Sequence, residues 1–194
     1  VLFLANIQPE LQYEVRQQCT RARFVAMDSM NLWIETARDA LVRTIGTVDA
    51  LVLNDAELKQ LTGKPSLLAA AREAMAMGPR VVVAKQGEYG AALFTAEGSF
   101  HLPAYPLESA IDPTGAGDSF AGGFMGYIAA HPDAAIDDAL LRRAMAYGTA
   151  VASFNVEDFG TERVSRLTAP EIADRVAELA RITHFEDAPI ELRA

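Results

Sequence analysis

Apolar residues in this chain come in short unbroken runs, separated by segments in which they recur every three or four positions. The runs at 1–7, 23–27, 48–53 and 81–84 lack the polar alternation of a half-exposed strand. Unbroken apolar strands belong to parallel sheets covered on both faces. Between them, 10–18, 31–45, 55–61 and 67–77 read as helices; in the last, Leu67, Ala71, Ala74 and Met75 fall on one side. Gly46 and Thr62-Gly63 suit helix ends. Strands alternating with helices imply right-handed βαβ units.

After residue 90 the pattern changes. Segments 90–95 and 99–102 read as an antiparallel pair turning at Ala96-Glu97-Gly98, and Pro103, Pro106 and Pro113 mark a connecting segment. Helices are expected at 117–130, with Phe120, Phe124 and Tyr127 on one stripe, and at 136–154, with Leu140, Ala144, Tyr147 and Val151. Thr168-Ala-Pro-Glu171 opens a last helix with a capping box, and 186–194 reads as a tail. With no repeat and no linker, 1–194 is treated as one domain. The expected fold is a three-layer α/β/α sandwich on a mostly parallel central sheet. Ligands of such sheets bind beyond the carboxyl ends of the strands, here after Leu53, Ala84 and Ala110-Ile111.

The balance of 26 acidic and 17 basic residues leaves a net charge of −9 in 194 residues, which disfavours nucleic acid or an anionic membrane as partner. A phosphate ligand therefore needs a local site. The single cysteine, Cys19, excludes an internal disulfide and fits a reducing cytoplasm. No run approaches the roughly 18 residues of a membrane span, and the opening residues lack the basic region of a signal peptide. Because Val1 stands directly in a strand, earlier sequence is expected to precede it.

One stretch carries most of the chemistry. Asp112-Pro113-Thr114-Gly115-Ala116-Gly117-Asp118-Ser119-Phe120 runs straight into a helix. Gly115 and Gly117 let the backbone turn tightly and present the amides of Gly115, Ala116 and Gly117 at a helix N-terminus, where the dipole favours an anion. Asp118 stands beside that position and can take a proton from an attacking hydroxyl; equally, it can be an ordinary first-turn acid. There is no G-x-x-x-x-G-K-[ST], and the third glycine of G-x-G-x-x-G is replaced by Phe120, so P-loop and dinucleotide-binding readings fail.

Segment 112–120, with Ala121-Gly122-Gly123-Phe124 after it, resembles the C-terminal signature of the ribokinase-like, phosphofructokinase-B-type carbohydrate kinases. Asn54-Asp55-Ala56-Glu57 is similar to that family's N-x-x-E magnesium motif, and Lys85-Gln86-Gly87-Glu88-Tyr89-Gly90 to its nucleotide-phosphate loop. The resemblance spans about 48–159. It implies an ATP- and Mg²⁺-dependent transfer of the γ-phosphoryl group to a sugar or nucleoside hydroxyl. Asp118 would be the base, and Gly115, Ala116 and Gly117 the anion hole. Lys85, Gly87, Gly90, Thr114 and Asn155 would lie at the nucleotide; Asn54, Glu57 and Asp112 at the metal, with a monovalent cation such as K⁺ as a further activator. Asn54 and Glu57 also spell a capping box, Lys85 also suits a surface turn, and Asp112 can simply cap its own turn. Asp28 and Asn31 lie where related sugar kinases carry a D-x-N-like segment, but their spacing differs by one residue. Such kinases also have an N-terminal segment with a β lid, most acceptor contacts and, in some, a homodimer contact; the resemblance implies that it would precede Val1. A nucleotide-binding module without catalysis is the alternative reading.

Overall fold

The computed structural model describes residues 1–186. Six strands form one sheet in sequential order: β1 (Leu2–Leu4), β2 (Val25–Asp28), β3 (Ala50–Asn54), β4 (Val81–Lys85), β5 (Ala91–Thr95) and β6 (Gly98–Leu102). β1 to β4 run parallel; β5 and β6 return antiparallel, closing on the Thr95–Gly98 pair. Asn54 and Lys85 are register partners at the carboxyl ends of β3 and β4.

Strand alternation sends neighbouring side chains to opposite faces, and both faces are covered. Met27, Leu51, Leu53, Val82 and Ala84 face a layer made from α1 (Pro9–Gln18), α2 (Asn31–Thr36), α3 (Arg38–Ile45), α4 (Asp55–Thr62) and α5 (Leu67–Ala76). Ala26, Ala50, Val52, Val81 and Val83 face α6 (Ala116–Ala130) and α7 (Asp138–Asn155). The three layers expected from the apolar runs are present. The short α8 (Glu162–Ser165) and α9 (Ala169–Thr183) pack on the end of α7.

Three expectations change. The first run gives a strand of only three residues, Leu2–Leu4, with Ala5, Asn6 and Ile7 exposed. The helix expected over 31–45 is two helices, because Ala37 leaves helical geometry at φ −140°, ψ 35°. No proline or glycine announces that break. Gly46 does cap α3, but in right-handed geometry at φ −64°. The expected tail lies, from residue 187 on, outside the described residues.

α6 and α7 approach unusually closely. A β-carbon on Gly123 would stand 2.8 Å from the Tyr147 carbonyl oxygen, and one on Gly148 would stand 2.8 Å from the Phe120 carbonyl oxygen. These backbone contacts set the N-terminus of α6 beside the C-terminus of α7. Nothing lies within 4 Å of a β-carbon on Gly122, one residue away. Gly148→Ala is therefore expected to destabilise the fold by about 1–3 kcal/mol through overpacking. Gly122→Ala is expected to stabilise it by up to ~1 kcal/mol through helix propensity. Urea unfolding of the two variants against the parent chain checks the opposite signs.

Candidate functional site

A cleft of about 860 Å³ opens at the carboxyl ends of β3 and β4. Its two ends differ chemically. One holds Asn54, Lys85, Ala116 and Gly117; the other, from 104–110 and α7, is mostly apolar, with Ala104, Pro106, Leu107, Ala110, Ala152 and Val156 interrupted by Glu108, Ser109 and Ser153. The first end suits a charged group and the second a flat apolar one.

The charged end is built by α6. Gly115 is its N-cap at φ 81°, a conformation that L side chains rarely adopt. The Ala116 amide donates to the Pro113 carbonyl at 3.2 Å, so of the three expected anion-hole amides it is the one already engaged. The amides of Gly115 and Gly117 meet no internal acceptor among the described residues. Lys85 reaches across from β4: its Nζ would lie 2.9 Å from a β-carbon on Gly117. A side chain at 117 would thus displace the ammonium from the helix terminus. Lys85 is accordingly no loose surface lysine.

The turn before α6 is held from three sides. Asp112 Oδ1 accepts from the Thr114 amide at 2.9 Å, and Oδ2 from the Gly160 amide at 3.2 Å. Thr114 first, then Gly160, hold the Asp112 carboxyl below its ordinary pKa. Both oxygens are therefore engaged in shaping the loop. Asn155 is buried at 1% exposure; its Nδ2 donates to the Thr114 carbonyl at 2.8 Å and its Oδ1 accepts from Ser119 Oγ at 2.8 Å. It stands behind the turn rather than on the cleft wall. Thr114 is likewise beside the wall, which Pro113 lines instead.

Gly87 and Gly90, expected at the nucleotide, line the cleft. A β-carbon on Gly90 would fall 2.1 Å from the Leu102 carbonyl oxygen, so the backbone crossing there demands glycine without any ligand. Asn54 and Glu57 form the capping box in full: Asn54 Oδ1 accepts from the Glu57 amide at 2.7 Å, and Glu57 Oε2 from the Asn54 amide at 2.9 Å. Glu57 Oε1 is left over.

The sequence reading missed Thr149 altogether, and of Asp28 it gave the position but not the burial. Thr149 is buried on the cleft wall, and its hydroxyl has no partner. Asp28 ends β2 with 5% exposure and an unpartnered Oδ1. Burial pushes its pKa up to about 6, against the pull of Lys85, while the charges of Asp118 and Glu57 push it further. Three carboxylates, Asp28, Glu57 and Asp118, thus share one electrostatic neighbourhood with one ammonium. Asp118 itself is exposed in the first turn of α6 and does not line the cleft.

That surplus of negative charge, with the buried orphan Oδ1, fits a divalent cation. No cluster of three or more His, Cys, Asp or Glu able to cage a metal occurs among the described residues. The few carboxylates present, Asp28, Glu57 and Asp118, fit a hard cation such as Mg²⁺, which takes only one or two protein carboxylates.

The sequence pattern of the pfkB family carbohydrate kinase matches residues 2–167. A nucleoside kinase of Methanothermobacter thermautotrophicus is 37% identical over 142 residues, covering 69% of this chain and 42% of that protein. A cytidine kinase of Thermococcus kodakarensis is 34% identical over 139 residues, covering 68% of this chain and 49% of that protein. The chain thus spans under half the length of these curated relatives. Aminoimidazole riboside kinase from Salmonella enterica, solved with aminoimidazole riboside and an ATP analogue, superposes with a TM-score of 0.75 at 23% identity, over 90% of this chain and 64% of that one. The Methanocaldococcus jannaschii nucleoside kinase gives 0.73 at 20%, over 91% and 56%. At these identities the structures establish the ribokinase fold.

The buried Asp28 carboxyl has a measurable consequence. Its folded-state pKa, about 6, lies above its ordinary 3.8, so the folded chain prefers it protonated. The associated stability is full below about pH 4 and is lost as pH rises through 6. Asp28→Asn is expected to raise stability at pH 8 by on the order of 1–3 kcal/mol and to leave it nearly unchanged at pH 4. Thermal unfolding at the two pH values is the measurement. An equal shift at both would remove the ionised carboxylate as the cause.

Proposed function

Because the chain belongs to the pfkB family of carbohydrate kinases, matching its pattern over residues 2–167, we propose that it carries the nucleotide-binding and catalytic part of an ATP-dependent kinase acting on a nucleoside or sugar hydroxyl. The observation that carries this reading is the meeting of Lys85, the open amides of Gly115 and Gly117, and the N-terminus of α6 at one end of a cleft whose other end is apolar. That pairing suits a nucleoside triphosphate: phosphates at the amides, base between Ala104–Ala110 and α7.

Phosphoryl transfer needs positioning and charge stabilisation more than covalent help from the protein. The acceptor oxygen forms a bond to the γ-phosphorus as the bond to the β,γ-bridging oxygen breaks, and ADP departs. Asp118, one residue past the amides, takes the proton of the acceptor hydroxyl. Lys85 and the amides of Gly115 and Gly117 stabilise the charge on the transferred group. Asp28 and Glu57 would hold Mg²⁺, which would supply further neutralisation of the phosphates. Asn155 and Asp112 act one step back, by keeping the turn in place. Both an acid at 118 and an acid at 57 favour catalysis over a binding-only module. A reducing, ATP-rich cytoplasm is the compartment this reading proposes. Among the described residues no helix is long and apolar enough to cross a membrane.

The relatives matched over more than two thirds of the chain are a nucleoside kinase and a cytidine kinase, which makes nucleosides the first acceptors to assay. Asp118→Asn is expected to lower kcat by about 10²–10⁴ with little change in ATP affinity. Lys85→Met is expected to weaken ATP binding on the order of tenfold or more, since it removes a charge-assisted contact. Turnover by coupled ADP release, with ATP affinity by titration, separates the two effects. Unchanged turnover in Asp118→Asn would sink the assignment of the base.

A further inference from the structure

α9 lies beyond the family match, yet it is bolted to the cleft. Arg175 on α9 is mostly buried, and its guanidinium sits 3.4 Å from the Phe154 ring centroid and 4.4 Å from that of Tyr105. It donates to Ser153 Oγ at 3.0 Å and pairs with Glu157 at 2.7 Å. One turn on, Glu178 accepts the Tyr105 hydroxyl at 2.7 Å. Arg163 on α8 closes the cluster, stacking on Phe154 at 4.6 Å and pairing with Glu171 in the first turn of α9 at 2.7 Å.

Two of the residues Arg175 holds, Tyr105 and Ser153, line the apolar end of the cleft. The segment carrying Tyr105 has neither helix nor strand between Leu102 and Ala116. Among the described residues no backbone–backbone bond joins 103–110 to other segments; the first is from the Ile111 amide to the Val156 carbonyl. The position of this wall therefore rests on side chains, and Tyr105 is gripped on its ring face and at its hydroxyl by α9. The other lining stretch, at Ser153 on α7 with Phe154 beside it, is gripped by the same guanidinium.

We propose that Arg175 is a positioning residue for the base of the bound nucleotide: it couples α9 to both walls of the apolar end and sets the gap between them. The inference rests on the cleft being a nucleotide site. A planar guanidinium can stack on two rings while donating in its own plane, which an ammonium cannot do.

The test compares ATP with inorganic tripolyphosphate as ligands of this chain. Arg175→Met is expected to weaken ATP on the order of tenfold and leave tripolyphosphate unchanged, because only the base end is disturbed. Arg175→Lys keeps a cation for Glu157, protects the fold, and is expected to lose ATP affinity likewise. Lys85→Met should weaken both ligands. Equal losses for the two ligands in the Arg175 variants would mean general destabilisation and overturn the proposal, as would unchanged ATP affinity. Hydrogen exchange supplies a readout independent of ATP: amides of 103–110 should exchange faster in both Arg175 variants, with the sheet unaffected. If 103–110 does not respond, the positioning role falls even where ATP binds. If the parent chain binds neither ligand while 103–110 does respond, the nucleotide reading of the cleft fails and the base-positioning role with it, leaving Arg175 a purely structural clamp.

Discussion

A buried amide holds the anion-binding turn together. Asn155 closes α7, and its side chain donates to the backbone before α6 and accepts from a hydroxyl within it. Asn155 itself is buried although Thr114 is exposed, so losing either bond would strand a buried amide group at a cost of about 1–3 kcal/mol. The geometry of Gly115, Gly117 and the α6 terminus follows from that brace. The brace in turn depends on α6 and α7 lying close enough, which Gly123 and Gly148 permit.

Around this frame the charges are arranged asymmetrically. The chain is acidic overall, and its site is acidic too, with Asp28, Glu57 and Asp118 near a single Lys85. Such a site attracts phosphate only through directed amides, one well-placed ammonium and a partner cation. Specificity then follows from geometry, since no diffuse basic surface is available to hold polyanions indiscriminately.

The sequence made local features legible. The capping boxes at Asn54–Glu57 and Thr168–Glu171, the hairpin after Lys85 and the glycine turn before Asp118 are each written within a few residues, and each is found. What stayed hidden is long-range. Asp28 matters because burial leaves its oxygen without a partner, and burial belongs to the whole fold. Asn155 was expected to touch the nucleotide; in the structure its amide faces Thr114 and Ser119, more than 35 positions earlier. Arg175 draws its meaning from Tyr105, Phe154 and Glu157, contacts no motif records. The break at Ala37 comes from packing α2 and α3 separately, against the preference of alanine for helix.

The brace also dictates an order of assembly. The parallel sheet through β4 is complete by Lys85, and its pairings join neighbours in the chain. The hydrogen bonds of Asn155 span 41 and 36 positions, and the Gly160–Asp112 bond at the same turn spans 48. Loop closure costs more as loops lengthen, and a chain leaving the ribosome cannot make these bonds until α7 has emerged. The phosphate-binding turn therefore takes shape only after the parallel sheet during synthesis. A nascent chain interrupted before α7 holds a sheet without the means to grip a nucleotide.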